Sequence, residues 1–356
     1  MTAHDAALLR RLAQRADSLT PDLRRAYLAG LEELRAALSV AEIARAIDTG
    51  SVERLLSEHL SDAQVRAAFA GLHTAILASV KTATEAAIRD LPRLVAKNAP
   101  GIAFDYLNPR VLDALRTLDT RVMTTLGDTI RETVRTRVQA GLEAGTNPRT
   151  IAQGLRSTLG LSARNAEAVA RFRAELEAGD TAALRRSLVR GWMNLPERPV
   201  LKDGTLGSPR IPNRGHAGGK GLTSDDFAIL QKKLGTDVAL TPTQIDRMVK
   251  AYQGKLQAWE AETTARTAAL DSQRLGQRLS WQDAADKMGI GTDRMVKTWH
   301  GVMDDRERPE HLAMEGETVP FDSPYSNGEM TPGDSTYNCR CQESVRLLPE
   351  ADILAA

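Results

Sequence analysis

The chain has 356 residues, of which 47 are basic and 46 acidic, and its formal net charge is +1. A chain this close to neutral has no overall field that would draw it to a membrane surface or mark it as a free nucleic-acid-binding protein, so any contact of that kind must be local. With 42% apolar but only 4% aromatic residues, the composition favours slender helices packed through small side chains, in about two domains.

The N-terminal segment lacks the uninterrupted apolar core of a signal peptide, and no run of the sequence reaches the roughly 18 apolar residues of a membrane span. The chain contains 2 cysteines, too few for a disulfide framework, which agrees with a reducing compartment. We therefore expect a soluble protein that is made in a cytoplasm.

The first 190 residues carry helical patterns, and we predict a helical domain over residues 1–190. Its clearest element begins at Pro109 and ends near Gly141 and Gly145. Basic and acidic side chains alternate on the polar face of this helix, which indicates a solvated surface rather than a nucleic-acid site. An apolar stripe at helical spacing defines the other face: Val111, Leu115, Leu118, Val122, Leu126, Ile130, Val134, Val138 and Leu142.

Two shorter helices are predicted to follow. Asn147 before Pro148 begins one and Ser162 caps the next, while Gly160 and Gly179 end them.

Residues 191–225 are rich in Gly, Pro and basic side chains and have little apolar periodicity. This composition predicts a long loop or a cationic arm. Lys202, Arg210, Arg214 and Lys220 are its candidate contacts to a partner surface or to DNA phosphates, although a plain loop explains the composition equally well.

Helical spacing returns over residues 226–290, where Thr241 before Pro242 marks a helix start. After Gly289 the pattern breaks into short segments, which predicts a small α+β module over residues 291–356. The predicted fold class is therefore mainly α, with an elongated helical N-terminal region followed by a small α+β C-terminal module.

The C-terminal module contains the most specific pattern of the chain. We predict that its tryptophan, its ion-pairing residues and its turn residues fix the fold of the module. The pattern consists of Lys297, Trp299, Asp304, Arg306, Arg308, His311, Gly316 and Phe321, then Pro332–Asp334 (PGD), then Asn338–Cys341 (NCRC).

This pattern resembles the C-terminal domain of the phage Mu F-like minor head proteins, also called phage head morphogenesis proteins. The resemblance extends, with less specificity, over residues 145–345. It implies a minor head (capsid) protein of a tailed bacteriophage or prophage that is present in the virion and made in the cytoplasm of the bacterial host. The implied role is non-enzymatic and lies in head morphogenesis at or near the portal vertex. The implied partners are the portal protein, a scaffold or major capsid protein, and packaged double-stranded DNA.

Cys339 and Cys341 are two residues apart, so on an extended strand both sulfurs lie on one face, while a disulfide between them would close a strained small ring. His311 is a candidate third ligand for Zn²⁺, and a fourth could come from His300, Asp304 or Asp322. Free thiols packed beside a hydrogen-bonded histidine explain the same residues, and both interpretations stay open.

The alternative function is an effector that is carried in the head and ejected with the genome, with ADP-ribosyltransferase-like or nuclease activity. Glu315 and Glu317 imitate the paired glutamates of such transferases, and Ser335–Tyr337 imitates their Ser-Thr motif. The order of the two motifs is reversed relative to that enzyme class. Because of this reversal we expect no catalytic residues in the module.

Overall fold

The computed structural model describes residues 3–105, 107–180, 220, 222, 224–233, 239–304 and 307–348. Within these residues, no helix combines the length and the apolar character needed to cross a membrane. The candidate contacts Lys202, Arg210 and Arg214 of the predicted arm lie outside the described residues, as does Arg306.

The described chain is mainly helical, and a small antiparallel sheet lies near the C-terminus, which confirms the predicted fold class. The helices are α1 (Ala3–Ala37), α2 (Val40–Asp48), α3 (Val52–His59), α4 (Asp62–Ala68), α5 (Ala70–Asp90), α6 (Arg93–Asn98), α7 (Pro109–Glu143), α8 (Pro148–Thr158), α9 (Ala163–Ala178), α10 (Ser224–Lys233), α11 (Pro242–Met288) and α12 (Pro309–Leu312). The strands are β1 (Met295–His300), β2 (Thr318–Pro320) and β3 (Gln342–Leu347).

Helix boundaries follow the capping signals of the sequence. α7 begins at Pro109, and the Asn108 side chain accepts a hydrogen bond from the backbone N–H of Arg110 at 3.0 Å. Asn147 does the same for α8 through Arg149, at 2.9 Å. Along the apolar stripe of α7 most positions are buried, but Leu142 is 53% exposed.

The chain folds into two compact units, each built from non-consecutive segments. The first unit consists of Met1–Leu34, Ser61–Leu126 and Glu262–Ala356, and the second of Arg35–Leu60 and Gly127–Ala261. The predicted division into consecutive domains at residues 190, 225 and 290 stays a prediction.

The second unit has a core of aliphatic side chains around one aromatic pair. The rings of Phe172 and Tyr252 meet edge to face, with centroids 5.4 Å apart. The ammonium group of Lys220 lies over both rings, 4.7 and 4.4 Å from their centroids. This contact stabilises the fold of the unit by a cation–π interaction, and the predicted role of Lys220 in binding DNA or a partner stays a prediction.

In the first unit, small residues allow helices to pack closely. A Cβ atom at Gly276 of α11 would lie 2.7 Å from the backbone nitrogen of Thr84 in α5. Next to this contact, Trp281 and Ala284 of α11 pack with Met295 of β1 and Phe321 in one buried cluster. The C-terminal part of the long helix α11 therefore packs against the sheet of the C-terminal module.

The sheet has the strand order β2-β1-β3, and both pairs are antiparallel. The side chains of Met295, Lys297 and Trp299 share one face of the central strand, and each is fully buried. Trp299 lies opposite Glu343 of β3 in the register. This buried face of β1 packs toward the cysteine segment, and Trp299 on it contacts His311.

Candidate metal centre

The two cysteines lie directly before β3 and are buried free thiols. Asn338, which precedes them, has a φ of 58°, in the left-handed region that asparagine tolerates better than other non-glycine residues. The asparagine of the NCRC motif therefore forms the turn that leads the cysteines into the strand.

His311 lies on α12, a single helical turn that begins at Pro309. Its buried ring meets the indole of Trp299 edge to face, with centroids 5.4 Å apart. Its Nδ1 atom lies 3.6 Å from the Sγ of Cys339 and 3.4 Å from the Sγ of Cys341. The structure thus brings together the three candidate ligands, whose ligand atoms all lie within 4.8 Å of one another.

The two thiols are not equivalent. The hydrogen bond with Cys341 lowers the pKa of the Cys339 thiol to about 6, against the opposing effect of burial. The same hydrogen bond, together with burial, raises the pKa of Cys341. Thiolates are the metal-binding form of cysteine, and the hydrogen bond between the two sulfurs favours loss of one proton from the pair. A His/Cys/Cys cluster of this kind could hold a metal ion.

The residues considered from the sequence as fourth ligands have other partners. Asp304 pairs with the Arg340 guanidinium through two hydrogen bonds of 2.7 and 2.6 Å, and Asp322 pairs with Arg278 at 2.7 Å. The Nε2 atom of His300 lies 2.9 Å from the hydroxyl of Ser344. None of the three belongs to the cluster of ligand atoms around His311.

Sequence reasoning missed Glu307. Its Oε1 atom accepts a hydrogen bond from the Sγ of Cys341 at 3.2 Å. The available signal was its position four residues before His311, but other acidic residues lie close to it in the sequence, so the pattern does not single it out.

A buried arginine ties the cysteine segment to α11. Arg274 donates to the carbonyl oxygens of Cys339 and Cys341 at 2.9 and 2.7 Å, and to Asp271 at 2.8 Å. Arg121 donates to the other oxygen of Asp271 at 3.0 Å. Burial raises the pKa of Asp271, and the two guanidinium groups oppose that rise. The network holds the backbone of the NCRC motif in place through a side chain that is 2% exposed.

The remaining motif residues have structural contacts. Arg308 donates to the carbonyl oxygen of Tyr337 at 3.0 Å. Gly316, with a φ of 81°, makes the turn into β2, and its N–H donates to the carbonyl oxygen of Trp299 at 2.9 Å. Behind Trp299, burial raises the pKa of Glu343 and lowers the pKa of Lys297, and the charge of each opposes the shift of the other.

The residues of the enzyme interpretation are engaged in hydrogen bonds within the module. Glu315 accepts from the backbone N–H of Gly301 at 2.6 Å, and Glu317 accepts from the N–H and hydroxyl of Ser326 at 2.7 and 2.8 Å. The hydroxyl of Ser335 donates to the buried Glu329 at 2.6 Å.

Gly333 of the PGD motif gives a direct test of how tightly this region packs. Its φ is 90°, and an added Cβ would lie 2.6 Å from Nη1 of Arg274 and 3.3 Å from the Cβ of Cys339. We expect Gly333→Ala to lower the free energy of unfolding by about 2–4 kcal/mol, because backbone strain and displacement of the buried guanidinium add.

Gly328→Ala is the matched control for Gly333→Ala. Gly328 has a φ of 84° but no atom within 4 Å of the added Cβ, so only the strain of about 1–2 kcal/mol applies. Thermal unfolding of both variants gives the comparison. Equal losses in the two variants would contradict the close packing of Gly333 against Arg274.

The comparison with known protein families agrees with the resemblance found in the C-terminal motifs. Residues 237–344 match the family model described as Phage Mu protein F like protein. No curated protein and no solved structure gives a significant match to the chain. The matched segment contains α11, β1, β2, the first three residues of β3 and the cluster of His311, Cys339 and Cys341. Residues 237–344 are therefore similar to the Phage Mu protein F like family, the family that the C-terminal motifs resemble.

Proposed function

We propose that the protein is a minor head protein of a tailed bacteriophage or prophage and acts in head morphogenesis at or near the portal vertex. The observation that carries this proposal is the family match over residues 237–344. The protein is proposed to act as part of the virion by binding the portal protein and a scaffold or major capsid protein, without catalysis. Contact with packaged DNA through the basic residues of the arm, residues 191–225, is part of the same proposal.

The contacts of the module support a binding role. Arg274 fixes the cysteine segment on α11, while Glu315 and Glu317 accept hydrogen bonds from Gly301 and Ser326 within the module. Carboxylates engaged in this way stabilise the turns of the module. These contacts favour a rigid docking module over the alternative of an ejected transferase or nuclease.

We also propose that the cluster of His311, Cys339 and Cys341 holds Zn²⁺. Two thiolates and one imidazole are ligands that zinc prefers, and their atoms already converge within 4.8 Å. Bound zinc would join α12 to the start of β3, which gives a small module a cross-link that its short strands do not provide. The role of the metal is structural in this proposal.

Co-expression with the portal protein encoded by the same phage or prophage tests the head-assembly role. We expect the full chain to co-purify with a tagged portal and native mass spectrometry to show a fixed ratio of the two, because a minor head protein occupies a defined number of places. No complex with an intact portal ring would contradict docking on the portal. Hydrolysis of nucleic acid or transfer of ADP-ribose by the purified chain would contradict the non-enzymatic role.

A further inference from the structure

The carboxylate of Glu307 is held beside the cysteine cluster by the backbone. Its Oε2 atom accepts from the N–H of Met303 at 2.6 Å, and its Oε1 atom accepts from the N–H of Val302 at 3.2 Å. Met303 has a φ of 58°, in the left-handed region, although its side chain is 61% exposed and gains little from burial. The strained backbone therefore serves to turn two N–H groups toward this carboxylate.

The neighbouring Gly301 leaves room for the same carboxylate. A Cβ atom at position 301 would lie 2.3 Å from Oε1 of Glu307 and 2.8 Å from Oε2. Any side chain at this position would displace the carboxylate from the N–H groups that hold it. The loop thus forms a cradle for one carboxylate, which points with Oε1 at the Sγ of Cys341.

Three interatomic distances at this point are close to the edges of a tetrahedral site, and Glu307 contributes one of them, to Cys341, while it lies outside the group of ligand atoms that are all within 4.8 Å of one another. In tetrahedral zinc sites, metal–sulfur distances of about 2.3 Å and metal–nitrogen or metal–oxygen distances of about 2.0–2.2 Å separate unlike ligand atoms by about 3.6 Å. Here Nδ1 of His311 lies 3.6 and 3.4 Å from the two sulfurs, and Oε1 of Glu307 lies 3.2 Å from the Sγ of Cys341. A cation could replace the proton that Cys341 shares with Glu307.

From this geometry we propose that Glu307 is the fourth ligand, so that two thiolates, one imidazole and one carboxylate form a closed zinc site. This inference rests on the proposed zinc binding and adds the ligand that completes the site. The two N–H donors from Val302 and Met303 orient the carboxylate, as hydrogen-bond partners outside a metal site commonly do. The guanidinium of Arg274, bonded to both cysteine carbonyls, offsets the excess negative charge of such a ligand set.

Zinc affinity of the full chain tests the role of Glu307. The apo protein is titrated with Zn²⁺ in competition with a chromophoric chelator, and Co²⁺ is used as a spectroscopic probe. We expect Glu307→Gln to weaken zinc binding by at least about 10-fold, because the amide oxygen can still accept one of the two backbone hydrogen bonds but is a poor ligand. The thiolate-to-cobalt charge-transfer band is expected to keep its full intensity in this variant, because the intensity scales with the number of bound thiolates and both cysteines still ligate.

Two further variants make the test specific. Glu310→Gln removes the same charge three residues away at an exposed position and is expected to leave the affinity unchanged. Gly301→Ala keeps Glu307 but displaces its carboxylate, and it is expected to weaken binding as Glu307→Gln does. Equal affinity in Glu307→Gln, Glu310→Gln and the unchanged protein would overturn the proposal and leave a site of three protein ligands.

The outcomes also separate this inference from the proposed function. If the unchanged protein binds no Zn²⁺, both the metal proposal and the role of Glu307 fail. Complex formation with the portal is measured without added metal, so a portal complex can be found or lost independently of that result.

Discussion

Replacing Arg274 with leucine is expected to destabilise the C-terminal module by about 3–5 kcal/mol, the loss typical of breaking a buried ion pair on one side. The substitution removes the donor to two buried carbonyl oxygens, those of Cys339 and Cys341, and one of the two guanidinium groups beside Asp271. The carboxylate that remains is 7% exposed, so water cannot replace the lost guanidinium.

Hydrogen exchange of the β1 and β3 amides measures the effect of Arg274→Leu without assuming that two units unfold in one step. A loss of this size corresponds to a fall in protection of at least about 100-fold. Arg266→Leu on the same helix is the matched control, because Arg266 pairs with Asp17 at 3.4 Å with both side chains at least 40% exposed. Such pairs contribute at most about 1 kcal/mol, and equal falls in the two variants would contradict the role assigned to Arg274.

The pH dependence of the Arg274→Leu loss provides a second readout. Burial raises the pKa of Asp271, and removal of Arg274 raises it further. A carboxyl whose pKa is higher in the folded state binds its proton more tightly there, so its charge destabilises the fold at neutral pH. We expect Arg274→Leu to lose more stability than Arg266→Leu at both pH values, and we expect this difference to be smaller at about pH 5 than at about pH 7.5. An excess loss that grows on acidification would show that Asp271 is not the source.

The sequence predicts the local structure of this chain well because the helix signals are local. Asn108 and Asn147 cap the helices they precede, and Gly289, with a φ of 64°, ends α11. Each signal acts over one turn of helix and needs no knowledge of the fold. The division into two units of non-consecutive segments could not be predicted in this way, because it depends on which helices pack together.

The candidate metal centre was predictable in part for a similar reason. The i, i+2 spacing of Cys339 and Cys341 places both sulfurs on one face by strand geometry alone. His311 is the histidine nearest to the two cysteines in the sequence. Glu307 reaches the cluster only because the backbone at Met303 turns back with a positive φ. Arg274 lies 65 residues from Cys339 in the sequence, so only the packing of α11 under the sheet brings them together.

Adding Zn²⁺ to the metal-free protein is expected to stabilise the C-terminal module strongly. A ligand that binds only the folded state adds about 4 kcal/mol when its free concentration is about 1000 times its Kd. The three ligand atoms converge only when α12 and the segment before β3 are in place, so opening of the module separates them and releases the metal. Protection of the β3 amides is therefore expected to rise by up to about 1000-fold with zinc and to fall again when a chelator removes it.

The increment in amide protection that zinc produces within each variant distinguishes metal binding from packing of free thiols. His311→Gln and Cys341→Ser lose a ligand and are expected to show little or no increment, whatever their stability without metal. His300→Gln is the matched control, because His300 is buried in the same module but bonds to Ser344 outside the cluster, and its increment should equal that of the unchanged protein. If zinc gives no increment in the unchanged protein, the thiols and His311 stabilise the module by packing and hydrogen bonds alone.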